Sequence, residues 1–378
     1  MSDTPRALAG VRVIDISTTT AAAWTSRLLA DSGADVILVE SPGGHPIRRM
    51  GPFADDGASV PEAQFLANKR SVTLDLDDDA ARATVRELIE NADIVISSHS
   101  PSRLAELGLT YESFELSDLI MTHVTAHGMT GQLAELPGND LTVAARSGWA
   151  SINGTADREP LKPAAWTSSY CTGIAAYGAT VAALRWRDAH PGEGQEVDVA
   201  ETEVMAGTFA PGMLRSLYNG KVQTRQSTDD QLAGPVPVAD GHFALTLSRA
   251  HFWRDAMNLL GLEDLAEDER YGASWFRQQH REEYSGRVAE AMGKWNKMDL
   301  FEELAIRRVV AGPVLYMPEL RATDHLEERG YWRKPADAPD GPEYPGPAYQ
   351  MTETPQTLDH GAPRVGEHNE DVLGEVVS

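Results

Sequence analysis

The segment 160–173 concentrates the side chains that could attack a carbonyl carbon. It carries adjacent serines at Ser168 and Ser169 and the only cysteine of the chain, Cys171. A serine hydroxyl is neutral at pH 7 and becomes a nucleophile only when a neighbouring base removes its proton. No histidine lies within the twenty residues before Ser169, so a base would have to come from a distant part of the fold.

Both candidate nucleophiles also have a structural interpretation, which we favour. Ser169 precedes a long helical pattern, and serine is common at helix N-caps, so we predict that it caps this helix. A lone cysteine is more often a buried, small apolar side chain than a nucleophile, and we predict this role for Cys171.

The first half of the chain alternates short apolar runs with helical patterns. Such alternation is typical of βαβ units around a parallel sheet and predicts an α/β fold. Strands are predicted at 11–16, 36–40, 71–76, 94–96, 119–124 and 196–200, and helices at 22–32, 80–91, 172–189 and 204–220.

The pattern changes after about residue 220. A polar stretch at 222–232 predicts a linker, and Asp240-Gly241 between two apolar runs predicts a β-hairpin over 234–247. Helical patterns follow, and then a connector rich in proline and glycine at 335–347. The predicted organisation is a large domain at 1–200, a helix and linker at 201–232, a small domain at 233–315 and a return to the large domain at 316–378.

Composition narrows the possible partners. The 378 residues carry a formal net charge of −24, which argues against binding to nucleic acid or to anionic membranes, since both need clustered cations. A single cysteine excludes an internal disulfide and a cysteine-rich metal site, and no metal is predicted. Neither a signal peptide nor a long apolar span is visible in the sequence, so we expect a cytoplasmic protein.

Six motifs, in order along nearly the whole chain, resemble the class III CoA-transferase family (CaiB/BaiF type). They are LAGVRVIDIS near the start, LLADSGADVILVESPGG from Leu28, NKRS from Asn68, LIENADIVISSHSPSRLAELGL from Leu88, HPGEGQEVDVAETEVM from His190 and PRVGEHNEDVL from Pro363.

The resemblance implies a Rossmann-like large domain built from both chain ends, a smaller α+β domain from the middle, and an interlocked ring-shaped dimer. It also implies that coenzyme A or an acyl-CoA is a substrate rather than a permanently bound cofactor, and that a carboxylic acid is the acceptor.

The position of the family nucleophile is altered in this chain. In family members this segment has patterns such as T-A-D-Y-x-S-G, and the aspartate attacks the CoA thioester. In this chain, the resemblance aligns Ser169 with that aspartate. Acyl-CoA racemases of the family pair that aspartate with a histidine, whose position is held by Asn139. Racemisation is therefore not expected, and Asp140, which matches a widespread family aspartate, is expected to be structural.

The resemblance also implies contacts to CoA. They fall on Thr19, Thr20, Ala21, Leu74, Ser98, His99 and Arg103. Glu106 stands where the family has an arginine, which would set a carboxylate against a phosphate.

Three functions remain open at this point. The leading hypothesis is a non-catalytic subunit of a heteromeric CoA-transferase, whose paralogous partner supplies the aspartate. The second is a homomeric acyl-CoA enzyme with altered chemistry, such as a lyase or isomerase, that uses Ser169 or Cys171. The third is an acyl-CoA-binding protein without turnover.

Overall fold

The computed structural model of the protein describes residues 5–225 and 234–377. The chain forms two compact units, the first built from the residues up to Asn153, from Leu161–Gln223 and from Glu328 onward. The second unit comprises Gly154–Pro160 and the described residues between Thr224 and Glu327. Part of the predicted linker, 226–232, lies outside the described residues. The chain re-enters the first unit at Glu328, whereas the sequence placed this return at residue 316.

A six-stranded parallel sheet is the centre of the first unit and confirms the predicted α/β fold. Its strand order, β3-β2-β1-β4-β5-β6, is that of the Rossmann fold. The strands are β1 Arg12–Asp15, β2 Asp35–Glu40, β3 Arg70–Thr73, β4 Ile94–Ser97, β5 Ile120–Thr125 and β6 Gln195–Ala200.

Nine helices accompany these strands in the described part of the first unit before residue 224. They are α1 Thr20–Asp31, α2 Val60–Leu66, α3 Asp79–Glu90, α4 Pro101–Leu107, α5 Asp140–Arg146, α6 Trp149–Ile152, α7 Thr167–Ala189, α8 Glu201–Thr208 and α9 Ala210–Asn219. The predicted helix at 204–220 is therefore two helices, which meet at Phe209. Pro211 accounts for the break, because proline has no N–H to continue the first helix.

The strands are apolar on both sides because helices cover both faces of the sheet. Val13 and Ile94 pack with α1 and α7 on one face, and Ile14 and Val95 pack with α3 and α4 on the other. Side chains alternate along a strand, so each apolar run supplies both cores.

Gly173 lets α1 and α7 approach closely. A Cβ atom at this position would lie 2.7 Å from Trp24 Cδ1 and 2.9 Å from the Ala21 carbonyl oxygen. Backbone cannot give way as a flexible side chain can, so glycine is required at this crossing. The crossing fixes the first turn of α7 against the first turns of α1.

The second unit has its own core around an antiparallel sheet. Strands β7 Val236–Val238 and β8 Gly241–Thr246 form the predicted hairpin, and β9 Val310–Pro313 pairs with β8. Trp253 and Phe243 are fully buried there, and the Trp253 indole donates to the Leu265 carbonyl at 2.8 Å. The helices are α10 Ala250–Leu259, α11 Glu263–Glu267, α12 Ser274–Gln279, α13 Arg281–Met292, α14 Lys297–Ile306, α15 Met317–Arg321 and α16 Asp324–Glu328.

The returning segment completes the first unit with β10 Trp332–Arg333, β11 Tyr344–Pro345 and α17 Asn369–Val377. Asn68 anchors it: its side-chain oxygen accepts from the amides of Asp359 and His360, and its nitrogen donates to the Thr357 carbonyl. None of the helices in the described residues has the length and apolar character needed to cross a membrane.

Candidate functional site

A cavity of about 210 Å³ lies at the carboxyl ends of the central strands. Ser17 and Thr18 follow β1, His99 follows β4, and the loop after β2 contributes Gly44 and His45. Strand order reverses between β1 and β4, and in parallel α/β sheets ligands bind in the crevice at such a reversal. We call this cavity the switch-point pocket.

Three of the CoA-contact residues implied by the resemblance line the switch-point pocket: Leu74, His99 and Arg103. Ser98 does not line the pocket itself, but its Oγ accepts a hydrogen bond at 2.8 Å from the amide of Thr18, which does.

The other three predicted contact residues lie at the start of α1, outside the pocket lining. Thr19 is the N-cap residue of this helix, and the Thr20 hydroxyl faces Ser169. Ala21 is fully buried, so only its backbone remains for any ligand contact.

The sequence analysis did not identify His45 or Ser17, which also line the pocket. His45 is 2% exposed, and its Nδ1 accepts the Ile47 amide at 3.1 Å, which leaves the ring proton on Nε2. Burial lowers the pKa of His45 to about 4, so the ring is neutral at pH 7. Within the described part of the chain, His45 Nε2 and Ser17 Oγ have no partner. Both residues line the pocket, although these two atoms are themselves buried.

Two arginines line the pocket, and their charges are engaged differently. Arg103 Nη2 bonds Asp77 Oδ1 at 2.5 Å, and its Nη1 lies 3.4 Å from Glu106 Oε2. Arg49 bonds the Gly43 carbonyl oxygen at 2.6 Å and forms no ion pair with a described carboxylate. Arg49 is thus the cation that can meet an anionic ligand directly.

A buried ion pair lies beneath the pocket. Lys69 Nζ and Asp15 Oδ2 are 3.1 Å apart, and both side chains are fully buried. Burial alone would raise the pKa of Asp15, but Lys69 and the hydrogen bonds from Ser17 and Ser26 outweigh it and lower the pKa. The ionised Asp15 accepts the Ser17 amide and so fixes the loop that borders the pocket.

Ser169, which the sequence resemblance places at the position of the family nucleophile, is buried. Ser169 is 1% exposed, and its Oγ lies 2.7 Å from Thr20 Oγ1. Helix α7 begins at Thr167 with Trp166 as its N-cap residue, ahead of the predicted start at Thr172. The predicted capping role of Ser169 is therefore wrong, because this residue lies inside the first turn of the helix. We call Thr20 and Ser169 the hydroxyl pair.

Asp140 holds the start of α7 on its other side. Its Oδ1 accepts the Ser168 hydroxyl at 2.5 Å and the Ser168 amide at 3.1 Å, and its Oδ2 pairs with Lys162 at 2.9 Å. Asn139 caps α5 through its side chain. These contacts give Asp140 the structural role that the sequence predicted.

Two titratable groups near Asp140 are uncharged or partly uncharged at neutral pH. Burial raises the pKa of the Cys171 thiol, and the charge of Asp140 raises it further, so the thiolate is disfavoured. Burial, with a contribution from Asp140, raises the pKa of Glu201 to about 7. Glu201 is 4% exposed, and its Oε2 has no partner among the described residues.

The sequence matches the family model described as CoA-transferase family III over residues 8–369. The chain belongs to CoA-transferase family III. It is 35% identical to the succinate–glutarate CoA-transferase of Agrobacterium fabrum, covering 100% of this chain and 98% of that protein. It is 31% identical to a subunit of the succinyl-CoA:(R)-benzylsuccinate CoA-transferase of Thauera aromatica, covering 96% of this chain and 93% of that protein.

The fold agrees with solved structures of CoA-transferase family III. A CaiB/BaiF family protein from Brucella suis superimposes with a TM-score of 0.88 at 29% identity, covering 98% of this chain and 99% of that one. CoA-transferases act on an acyl-CoA and a carboxylic acid.

A second cavity in the first unit has a different character. It has a volume of about 350 Å³ and is lined by Trp24, Tyr170, Tyr177, Tyr331 and Tyr349 among others. It shares no lining residue with the switch-point pocket, so the two cavities are separate.

Proposed function

We propose that this chain is the CoA-binding, non-catalytic subunit of a heteromeric CoA-transferase, which moves CoA from an acyl-CoA to a carboxylic acid. The observation that carries the proposal is the hydroxyl pair: where the resemblance implies a reactive carboxylate, a buried Ser169 hydroxyl is bonded to Thr20. A paralogous partner chain would then supply the aspartate.

The reaction explains why a carboxylate is needed. A carboxylate oxygen attacks the thioester carbon, the C–S bond breaks, and a mixed anhydride and the CoA thiolate result. The thiolate then attacks the enzyme's carboxyl carbon, which releases the donor acid and leaves an enzyme thioester. The acceptor carboxylate attacks this thioester and gives a second mixed anhydride and free CoA thiolate. The thiolate then attacks the acceptor's carbonyl carbon, which forms the new acyl-CoA and regenerates the enzyme carboxylate. A serine would form an ester instead, and this ester would not exchange CoA through an anhydride.

Local geometry supports an unreactive Ser169. Its hydroxyl has Thr20 as its partner, and neither a histidine nor a carboxylate bonds it in the described residues. Cys171 is disfavoured as a substitute nucleophile because the pKa of its thiol is raised. These features favour the subunit hypothesis over a homomeric lyase or isomerase that uses either residue.

Binding features of the chain support a role in the complex. Arg49 brings to the switch-point pocket a cation that forms no ion pair with a described carboxylate, and His45 and Ser17 line the same pocket. Assembly is supported by exposed apolar side chains on α9, where Leu217 and Tyr218 are 74% and 85% exposed. An interlocked dimer with a paralogous subunit, as the resemblance implies, would cover such surfaces.

The relatives suggest the first substrates to test. The Agrobacterium relative is named for succinate and glutarate, and the Thauera relative is named as one subunit of an enzyme that uses succinyl-CoA. We therefore propose succinyl-CoA as donor and a dicarboxylic acid as acceptor.

The decisive experiment compares the chain alone with the chain co-purified with a paralogue that has aspartate at the position of Ser169. Succinyl-CoA and glutarate are supplied, and glutaryl-CoA is measured by mass spectrometry. We expect turnover only in the mixed complex, unchanged by Ser169→Ala in this chain and abolished by Asp→Ala in the partner. Turnover by this chain alone that is lost in Ser169→Ala or Cys171→Ala would refute the proposal.

A second measurement tests whether a carboxylate at the position of Ser169 can react with an acyl-CoA. Ser169→Asp restores a carboxylate in the first turn of α7, where the helix dipole favours a negative charge. An acyl or CoA adduct trapped by hydroxylamine at this residue in Ser169→Asp, and not in the matched Ser169→Asn, would show that the position keeps the geometry for attack on a thioester.

A further inference from the structure

The switch-point pocket is lined by two arginines and by several carboxylates. Coenzyme A carries two separate anionic groups next to its adenosine: the diphosphate and the 3′-phosphate of the ribose. The pocket lining holds Arg49, whose charge is not paired with a described carboxylate, and Arg103, which faces Asp77 and Glu106. One cation is therefore available where the ligand has two anionic clusters.

Asp77 itself lines the pocket beside Arg103. The hydrogen bond from Arg103 lowers the pKa of Asp77, so this carboxylate is charged at neutral pH. Its neighbour Asp75 also lines the pocket, and the Asp75 side chain accepts the Asp77 amide at 3.0 Å, which holds the turn. The rim next to Arg103 is therefore acidic rather than basic.

Carboxylates and arginines select different forms of a ribose. In dinucleotide-binding folds an acidic side chain accepts hydrogen bonds from ribose hydroxyls, whereas an arginine accommodates a ribose phosphate. A phosphate brought to Arg103 would have to displace Asp77 and would still lie close to Glu106. A hydroxyl can donate to Asp77 without breaking the ion pair.

We propose that Asp77 is a specificity-determining residue that makes this pocket accept a 3′-hydroxyl as readily as a 3′-phosphate on the nucleotide of CoA. The inference rests on the proposed function, because it assumes that the switch-point pocket binds the nucleotide end of an acyl-CoA. His45 and Ser17 also line the pocket, and His45 Nε2 and Ser17 Oγ are buried without partners among the described residues. The discrimination between CoA and 3′-dephospho-CoA is accordingly set by the Arg103–Asp77 pair.

The test is calorimetric titration of the full chain with CoA and with 3′-dephospho-CoA. The wild-type protein should bind the two ligands with dissociation constants within about 3-fold of each other, since an exposed pair of this kind changes affinity by only a few fold. Asp77→Asn removes one of the two carboxylates that face Arg103 and should tighten CoA binding about 3- to 5-fold. The amide oxygen can still accept the ribose hydroxyl, so the affinity for 3′-dephospho-CoA should stay within about 2-fold of wild type.

Asp79→Asn is the matched control. Asp79 lies two residues away, is 94% exposed and pairs with Arg82, so its replacement removes the same charge outside the pocket. It should change neither affinity by more than about 2-fold. Thermal unfolding of all three proteins checks that the substitutions leave the fold intact.

The outcomes separate this inference from the proposed function. A wild-type preference for CoA of more than tenfold, or an Asp77→Asn variant with the wild-type ratio, overturns the role of Asp77 while CoA binding still supports the proposed function. Failure of both ligands to bind at millimolar concentration overturns both. A narrow wild-type ratio that widens only in Asp77→Asn supports the inference.

Discussion

The switch-point pocket and the hydroxyl pair lie at the start of the same helix, yet their polar groups are used in opposite ways. In the pocket, Ser17 and His45 hold buried polar atoms that have no partner among the described residues. At the hydroxyl pair, Thr20 and Ser169 satisfy each other at 2.7 Å. The comparison shows that buried polar groups are treated in two ways near this helix: some have no partner among the described residues, and others pair with a second hydroxyl.

The largest expected effect on stability concerns the buried ion pair between Lys69 and Asp15, next to the loop that borders the pocket. Lys69→Met would leave the Asp15 carboxylate fully buried and unpaired, and we expect a loss of about 3–5 kcal/mol in the free energy of unfolding. Urea denaturation measures it. The double variant Asp15→Asn/Lys69→Met removes both charges and should recover most of the loss; equal losses in both variants would show that the ion pair does not fix the pocket.

The next effect concerns the proton on the buried Glu201 carboxyl group, whose pKa is raised by burial and also by Asp140. The pKa of Glu201 is raised to about 7, above its unfolded value, so its contribution to stability is complete at low pH and is lost as pH rises through about 7. Glu201→Gln cannot lose this contribution. Its stability relative to wild type should therefore rise by about 3 kcal/mol between pH 4.5 and pH 8.5.

Glu203→Gln provides the control for Glu201, because Glu203 lies in the same helical turn and is exposed. Urea denaturation at several pH values should show no pH-dependent difference between Glu203→Gln and wild type. A flat difference for Glu201→Gln as well would mean that Glu201 titrates normally.

The smallest effect probes the hydroxyl pair itself. Thr20→Val leaves the buried Ser169 hydroxyl without its partner, and we expect a loss of about 1–2 kcal/mol in the free energy of unfolding. Adding Ser169→Ala removes the stranded hydroxyl and should restore part of it. The matched change Thr18→Val, at an exposed hydroxyl, should stay within about 0.5 kcal/mol of wild type.

The sequence predicted the sheet better than the site. Runs such as 94–96 are β-branched and apolar throughout, which marks a buried strand locally, and the structure has β4 there. His45 and Arg49 gave no comparable signal, because they enter the pocket only when β1, β2 and β4 are assembled side by side.

Local rules also failed at Ser169. Serine preference at N-caps is a statistical property of isolated helix ends, whereas this helix begins earlier, at Thr167. The partner of Ser169, Thr20, is 149 residues away in sequence. Only the close crossing at Gly173 brings the two hydroxyls together, and spacing along the chain carries no information about it.

The split of the first unit has a consequence during synthesis on the ribosome. Asn68 and the amide of Thr73 at the sheet edge are bonded by residues that follow Glu328, so the sheet is translated long before the segment that secures it. Between Gln223 and Glu328 the ribosome adds roughly 100 residues, which takes about 5–20 s. During that interval the ribosome is making the second unit, while the edge strand β3 stays open to chaperones or to a neighbouring nascent chain.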